Sequence, residues 1–136
     1  MLSLLGATIN IASLFLVFSI FTTQPKTTKY VVSNFKLEKS KSDEFILLIT
    51  LKPNDGIHIN AEPKPEIKIN EAFAEVLSIN FDKTKDNYID TKKPIIVRLK
   101  INTQEIKSLS GKFTYLFCSA TEGWCSKYVE SFELKP

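Results

Sequence analysis

Cys118 and Cys125 are the two cysteines of the chain, and thiols are the most chemically versatile side chains it carries. Six residues, Ser119 to Trp124, separate them. Cys118 closes the alternating run Lys112-Phe113-Thr114-Tyr115-Leu116-Phe117, and Cys125 opens the next strand-like stretch. Paired as a β-hairpin, these stretches set the cysteines opposite each other at its mouth. Cα separations there are about 4.5–5.5 Å, inside the range a disulfide spans. Gly123 places a residue able to take φ > 0 in the intervening loop. An even cysteine count in an exported chain is normally oxidised, so pairing follows from export. Two chemistries are then open. The pair is a staple, worth roughly 2–3 kcal/mol for so short a loop in the chain-entropy model. Alternatively it exchanges with a partner thiol, which requires an exposed sulfur and passes through a mixed disulfide. The spacing is not Cys-x-x-Cys, and no helix N-terminus is expected beside either sulfur, so the usual means of lowering a thiol pKa is missing.

Other reactive side chains are few. His58 is the only histidine, and with Cys118 and Cys125 it would suit copper(I) or zinc; a lone histidine in an apolar strand is otherwise a hydrogen-bonded structural residue. One histidine and two cysteines exclude Cys₄, Cys₂His₂ and His₃ zinc sites from this chain alone, and no metal or cofactor is assigned. Trp124, beside Cys125, either shields the disulfide and anchors a partner or caps the hairpin by packing on the fold. Tyr115, Phe117, Tyr128 and Phe132 read as core and cross-strand pairs. No nucleophile elbow, catalytic triad context or glycine-rich phosphate loop is present, which argues against hydrolase and nucleotide chemistry. Net charge is +3, the lysines are dispersed, and Arg98 is the only arginine. That pattern is not a nucleic-acid footprint, which calls for a clustered basic face.

The elements that must position the cysteines divide the 136 residues into two parts. Between Leu2 and Pro25 no side chain is charged, and Leu2–Phe21 is dominated by Leu, Ile, Phe, Val and Ala. Roughly 20 such residues span a bilayer as a helix, so residues 1–25 are expected to be a signal peptide or a membrane anchor, with a possible tether through residues 2–21. A basic n-region and a small-residue cleavage site are lacking, which favours the anchor; Lys26 and Lys29 after the run oppose its orientation.

Residues 26–136 read as an all-β domain. Lys26–Lys29 is a polar joint. Strands are expected over Tyr30–Phe35, Glu44–Leu51, Gly56–Asn60, Glu66–Ile69, Ala74–Phe81, Pro94–Ile101, Gly111–Cys118 and Cys125–Leu134. Glu44–Leu51 is apolar on both faces, which suggests a central strand covered on both sides. Pro53-Asn54-Asp55-Gly56 is a turn. Pro63 and Pro65 confine their stretch to an edge or loop. Asp82–Asp90 reads as a solvated loop, and Asn102–Ser110 as polar with a helical turn. This spacing of strands, with no helical period after the N-terminus, indicates an antiparallel sandwich.

The hairpin segment Gly111–Leu134, with Cys118, Gly123, Trp124 and Cys125, resembles the C-terminal hairpin of the N-terminal domain of the thiol:disulfide interchange protein DsbD and of the related disulfide bond corrector domains. Gly56-Ile57-His58-Ile59-Asn60 is similar to a glycine–aromatic–His-Ile-Asn stretch in these domains, with Ile57 where an aromatic is common. The resemblance runs through most of Tyr30–Leu134 in order and spacing. It implies an immunoglobulin-like β-sandwich in the periplasm or another extracytoplasmic space, held to the inner membrane where the N-terminal segment is retained. It also implies a thiol–disulfide exchange role, with reducing equivalents passing through Cys118 and Cys125 from a membrane thiol reductant to thioredoxin-like partners. Phe81, ahead of Tyr88, falls at a spacing that resembles the cap aromatic. The gap between the cysteines is one residue longer than in the best-known member, and the multi-pass and thioredoxin domains of the full protein have no counterpart in this sequence. The alternative expectation is a non-enzymatic exported sandwich, binding or structural, with an inert disulfide.

Overall fold

The computed structural model describes residues 26, 27 and 30–135. The expected signal peptide or anchor over residues 1–25, with its apolar helix, lies outside the described residues.

Two antiparallel sheets face each other. The first holds β1 (Lys26–Thr27), β2 (Val31–Lys39), β3 (Glu44–Pro53), β6 (Ala74–Asn80) and β7 (Ile95–Ile101), in the order β1-β2-β3-β7-β6. The second is centred on β8 (Leu109–Ser119), with β9 (Cys125–Leu134) along one side. Along its other side lie β4 (Ile57–Ile59) and then β5 (Glu66–Ile69). Pro63 and Pro65 separate these two short edge strands, where their missing donors break no ladder.

Period-two alternation explains which residues meet between the sheets. Ile95, Val97, Leu99 and Ile101 of β7 are buried, while Ile96 and Arg98 point outward. Leu47, Ile49 and Leu51 of β3 and Leu109, Phe113, Tyr115 and Phe117 of β8 complete the centre of the core. The core thus forms where the alternation of opposing strands agrees in phase.

Four expectations are corrected. Lys26–Thr27 is not only a joint: it pairs with Val32 and Ser33 of β2. β3 is central, flanked by β2 and β7, but Ile46 and Leu48 on its outer face are only half-buried. Their cross-strand neighbours are Glu38 and Arg98 for Ile46, and Lys36 and Ile96 for Leu48, so that face is shared with charged side chains. Asn102–Ser110 has no helical turn, because Leu109 is drawn into the core and starts β8. The Glu71 carboxylate fixes that start, accepting the Ser110 N–H at 2.9 Å and its hydroxyl at 2.7 Å. Finally, the 82–90 loop is not wholly solvated: Ile89 enters the core, and its N–H donates to the Ile59 carbonyl at 2.8 Å.

Gly111 stands opposite Ile69 in the β5–β8 ladder. A Cβ there would stand 2.1 Å from the Lys68 carbonyl oxygen and 2.9 Å from Phe132 Cζ. One acidic group is buried with the apolar residues: Glu130 of β9 is 1% exposed. Its carboxylate accepts the Ser33 hydroxyl of β2, a bond that ties one sheet to the other. Burial raises the Tyr115 phenol well above its ordinary value, and the negative Glu130 and then Tyr128 push it further. Tyr128, opposite Tyr115 on β9, is raised by burial and by Glu130.

Gly111→Ala is expected to lower stability by about 1–3 kcal/mol, since backbone rather than a flexible side chain must move; the denaturant midpoint reads it. A raised phenol contributes nothing below the unfolded value of about 10 and loses stability above it, where only the unfolded chain ionises. The Tyr115→Phe variant should therefore resist alkali: the part of the decline between about pH 9 and 11 that Tyr115 causes, about 1 kcal/mol, should disappear from its denaturant curves.

Candidate functional site

β8 and β9 pair without a register shift from Leu109↔Leu134 to Cys118↔Cys125. The two cysteines are joined as a disulfide, with Cα atoms 4.0 Å apart. The ladder continues one step beyond them, where the Ser119 N–H donates to the Trp124 carbonyl at 2.8 Å. The turn that follows is braced locally. The Gly123 N–H donates to the Ser119 carbonyl at 3.0 Å, and the Glu122 N–H donates to the Ser119 hydroxyl oxygen at 3.1 Å. Gly123 takes φ +73°, a left-handed conformation that a Cβ would strain.

Alternation sets the direction of the sulfurs. Phe117 and Ser119 point into the sandwich, so Cys118 between them points out. The disulfide therefore lies on the outer face of the second sheet, with Cys118 half-buried and Cys125 exposed.

His58 lies on that same face. Its neighbours Ile57 and Ile59 are buried, and His58 stands directly opposite Cys118 across the β4–β8 ladder. His58, Cys118 and Cys125 thus form a row across three adjacent strands. The far side of the histidine is covered by Tyr88, whose ring stacks on the imidazole with centroids 4.5 Å apart and planes 13° from parallel. Tyr88 is held there by its bridge to Asn60 and by the entry of Ile89 into the core. The sequence reading missed this contact. Its only signal was the pair Tyr88-Ile89 inside an otherwise polar run.

The remaining candidates lie elsewhere. The Trp124 ring is half-buried and packs edge-on against Tyr30 at 5.0 Å and Phe117 at 5.7 Å, closing the end of the sandwich beneath the turn. Its indole N–H donates to the Glu122 carboxylate. Phe81 packs, partly buried, against the hydrophobic core. Tyr88 is the aromatic ring that stacks on His58. Among the described residues no group of three or more His, Cys, Asp or Glu side chains is placed to hold a metal ion.

No protein-family model matches the chain, and no curated protein matches it in sequence. Solved structures match in fold. The GAE domain of GGA2p from Saccharomyces cerevisiae superposes with a TM-score of 0.55 at 7% identity, over 85% of this chain and 97% of that one. The N-terminal periplasmic domain of ScsB from Proteus mirabilis superposes with a TM-score of 0.55 at 14% identity, over 84% of this chain and 49% of that one. This chain thus spans about half the length of that ScsB structure. The reduced N-terminal domain of DsbD from Neisseria meningitidis has a TM-score of 0.44 at 13% identity, over 79% of this chain and 85% of that one. At these identities the likeness to the GAE and ScsB domains is one of fold.

Chemically, the site offers an outward-facing disulfide with one exposed sulfur-bearing residue, and a flanking imidazole on the side of the other. It also closes a hairpin whose strands carry core residues. Replacing both cysteines by alanine is expected to cost about 2–3 kcal/mol while the β-sheet signal in far-ultraviolet circular dichroism is kept, because the inward residues of β8 and β9 remain; chemical unfolding measures the loss.

Proposed function

We propose that the chain is an extracytoplasmic thiol–disulfide exchange domain of immunoglobulin-like fold, working through Cys118 and Cys125. The observation that carries the reading is the outward aim of the disulfide, with Cys125 exposed at the rim of the sheet. A staple has no need to face solvent, whereas exchange requires a sulfur that an incoming thiolate can reach. Two further observations support it: the hairpin and His-Ile-Asn stretch resemble those of the DsbD family, and the ScsB periplasmic domain shares the fold. The GAE domain matches equally well, so the fold alone selects no activity.

Accessibility sets the polarity of the reaction. A partner thiolate attacks Sγ of Cys125, forming a bond between the partner and Cys125. The Cys118–Cys125 bond breaks, and its electron pair leaves on Sγ of the half-buried Cys118. A second thiolate of the partner then displaces Cys125, so the partner becomes a disulfide and this pair a dithiol. The reverse sequence delivers the two electrons onward. Partners of the thioredoxin-like kind carry such paired thiols, and a membrane thiol reductant would recharge the pair. Trp124 stays a candidate docking contact through its exposed edge, and Phe81 a candidate element of the cap. Residues 2–21 would tether the domain to the inner membrane or direct its export.

The rival reading is an inert hairpin staple in a binding or structural sandwich, favoured by the ladder that continues past the bridge to Ser119 and Trp124. Equilibration with glutathione buffers separates the two. Exchange predicts reduction of the folded protein at a potential above about −300 mV, where structural disulfides resist, and a mixed disulfide trapped at Cys125 in the Cys118→Ser variant. A bridge that opens only as the fold melts would sink the proposal.

A further inference from the structure

The exchange step leaves a negative charge on Cys118, and the residue directly opposite that sulfur is the chain's only histidine. Cβ atoms of antiparallel partners on one face are about 4.5–5.5 Å apart, so the side chains of His58 and Cys118 leave the sheet next to each other on the outer face. Cys125 lies one strand further from His58, beyond Cys118. The row is therefore asymmetric: its imidazole sits beside the leaving sulfur and away from the attacked one.

The histidine is also held. Its ring is half-buried, and Tyr88 covers it nearly parallel at 4.5 Å. An aromatic face at that separation favours a cation lying over it. The clamp has its own support, since the Asn60–Tyr88 bridge and the 2.8 Å bond from the Ile89 N–H to the Ile59 carbonyl fasten the loop to β4 on both sides of the ring. The charged groups on the surrounding elements are Lys112 on β8, Lys127, Glu130 and Glu133 on β9, Asp55 and Glu62 beside β4, Glu122 in the turn, and Asp82, Lys83, Lys85, Asp86 and Asp90 in the loop. Lys83 lies within 3.6 Å of Glu62, and Lys93 within 2.7 Å of Asp82. On β4 and β8 the residues flanking His58 and Cys118, Ile57, Ile59, Phe117 and Ser119, carry no charge.

We propose that His58, clamped by Tyr88, is the positioning residue that stabilises the Cys118 thiolate when the disulfide opens. This rests on the exchange reading and deepens it. The partner's thiolate bonds to Cys125, the electron pair of the broken bond remains on Cys118, and the imidazolium of His58 offsets that negative charge. In the oxidising direction the same charge keeps Cys118 as the attacking thiolate. Only the protonated imidazole carries a charge, so the effect fades in alkali.

Two measurements on the full-length chain test this separately from the exchange reading. In a Cys125→Ser background, Cys118 is a free thiol and its thiolate is followed by ultraviolet absorbance. Cationic neighbours lower a thiol's pKa, so His58→Gln and His58→Phe should each cut the thiolate fraction near pH 6 about tenfold. His58→Phe keeps a ring for Tyr88 to stack on, which separates loss of charge from loss of packing, and His58→Lys should restore the thiolate. In the wild-type background, reduction of the disulfide by a small thiolate should slow about three- to fivefold near pH 6 in His58→Gln and be unchanged near pH 9. Identical Cys118 titrations in all four proteins would overturn the role of His58. A titration that depends on His58 in a protein whose disulfide resists every thiol would uphold that role and remove the exchange reading instead.

Discussion

A strand has two faces, and β8 uses both. From Leu109 to Phe117 its odd-numbered side chains form the floor of the core, and Ser119 follows them inward. Its even-numbered side chains look away from the core, and Cys118 is the last of them. Because the side-chain period is two, these assignments cannot change independently: a slip of one residue would expose Phe113 and Phe117 and bury the sulfur. The cost of exposing those aromatics holds the register, and the register holds the disulfide outward. The large apolar residues of β8 thus set the orientation of a group that none of them resembles chemically.

Strand neighbours extend the same logic sideways. β9 continues the alternation, so Cys125 meets Cys118 on the outer face while Glu130 and Phe132 meet the core. β4 contributes only three residues, yet two of them, Ile57 and Ile59, are buried, and the one between is thereby turned toward Cys118. A short edge strand with a strong apolar pair is enough to aim a histidine. The hydrogen bond from Ser33 to Glu130 works across the sandwich and ties β2 to the inner side of the hairpin whose outer side carries the sulfurs. The hairpin is therefore bound to the body of the protein from within and left open without, which suits either a redox surface or a reinforced edge.

Trp124 and Tyr88 show how two aromatics near one site divide the work. Trp124 turns inward at the end of β8 and β9 and packs on Tyr30 and Phe117, so most of its ring is spent on closing the sandwich. Tyr88 arrives from a loop and covers His58 on the outer face. The sandwich itself is a general scaffold: a yeast GAE domain and a bacterial periplasmic domain superpose on it equally well.

Much of this was legible in the sequence, because strand alternation is a local property. The spans of β5 and β9 were read to the residue, and those of β4, β6 and β7 to within one or two at their ends. The pairing of the cysteines followed from two adjacent strands and a short loop, needing no distant contact. What the sequence could not supply was everything set by non-local packing. Residues 102–110 read as a helical turn because their composition is polar, and burial of Leu109 with the bonds from Ser110 to Glu71 decided otherwise. The 82–90 loop read as solvated because charges dominate it, yet one isoleucine reaching the core was enough to lay Tyr88 on His58. The sequence by itself determined the two-faced strands and the cysteine bridge, since each depends on residues close in the chain. Only the tertiary structure decided that a histidine sixty residues earlier stands beside one sulfur and not the other, because that depends on which strands become neighbours and on what each must bury.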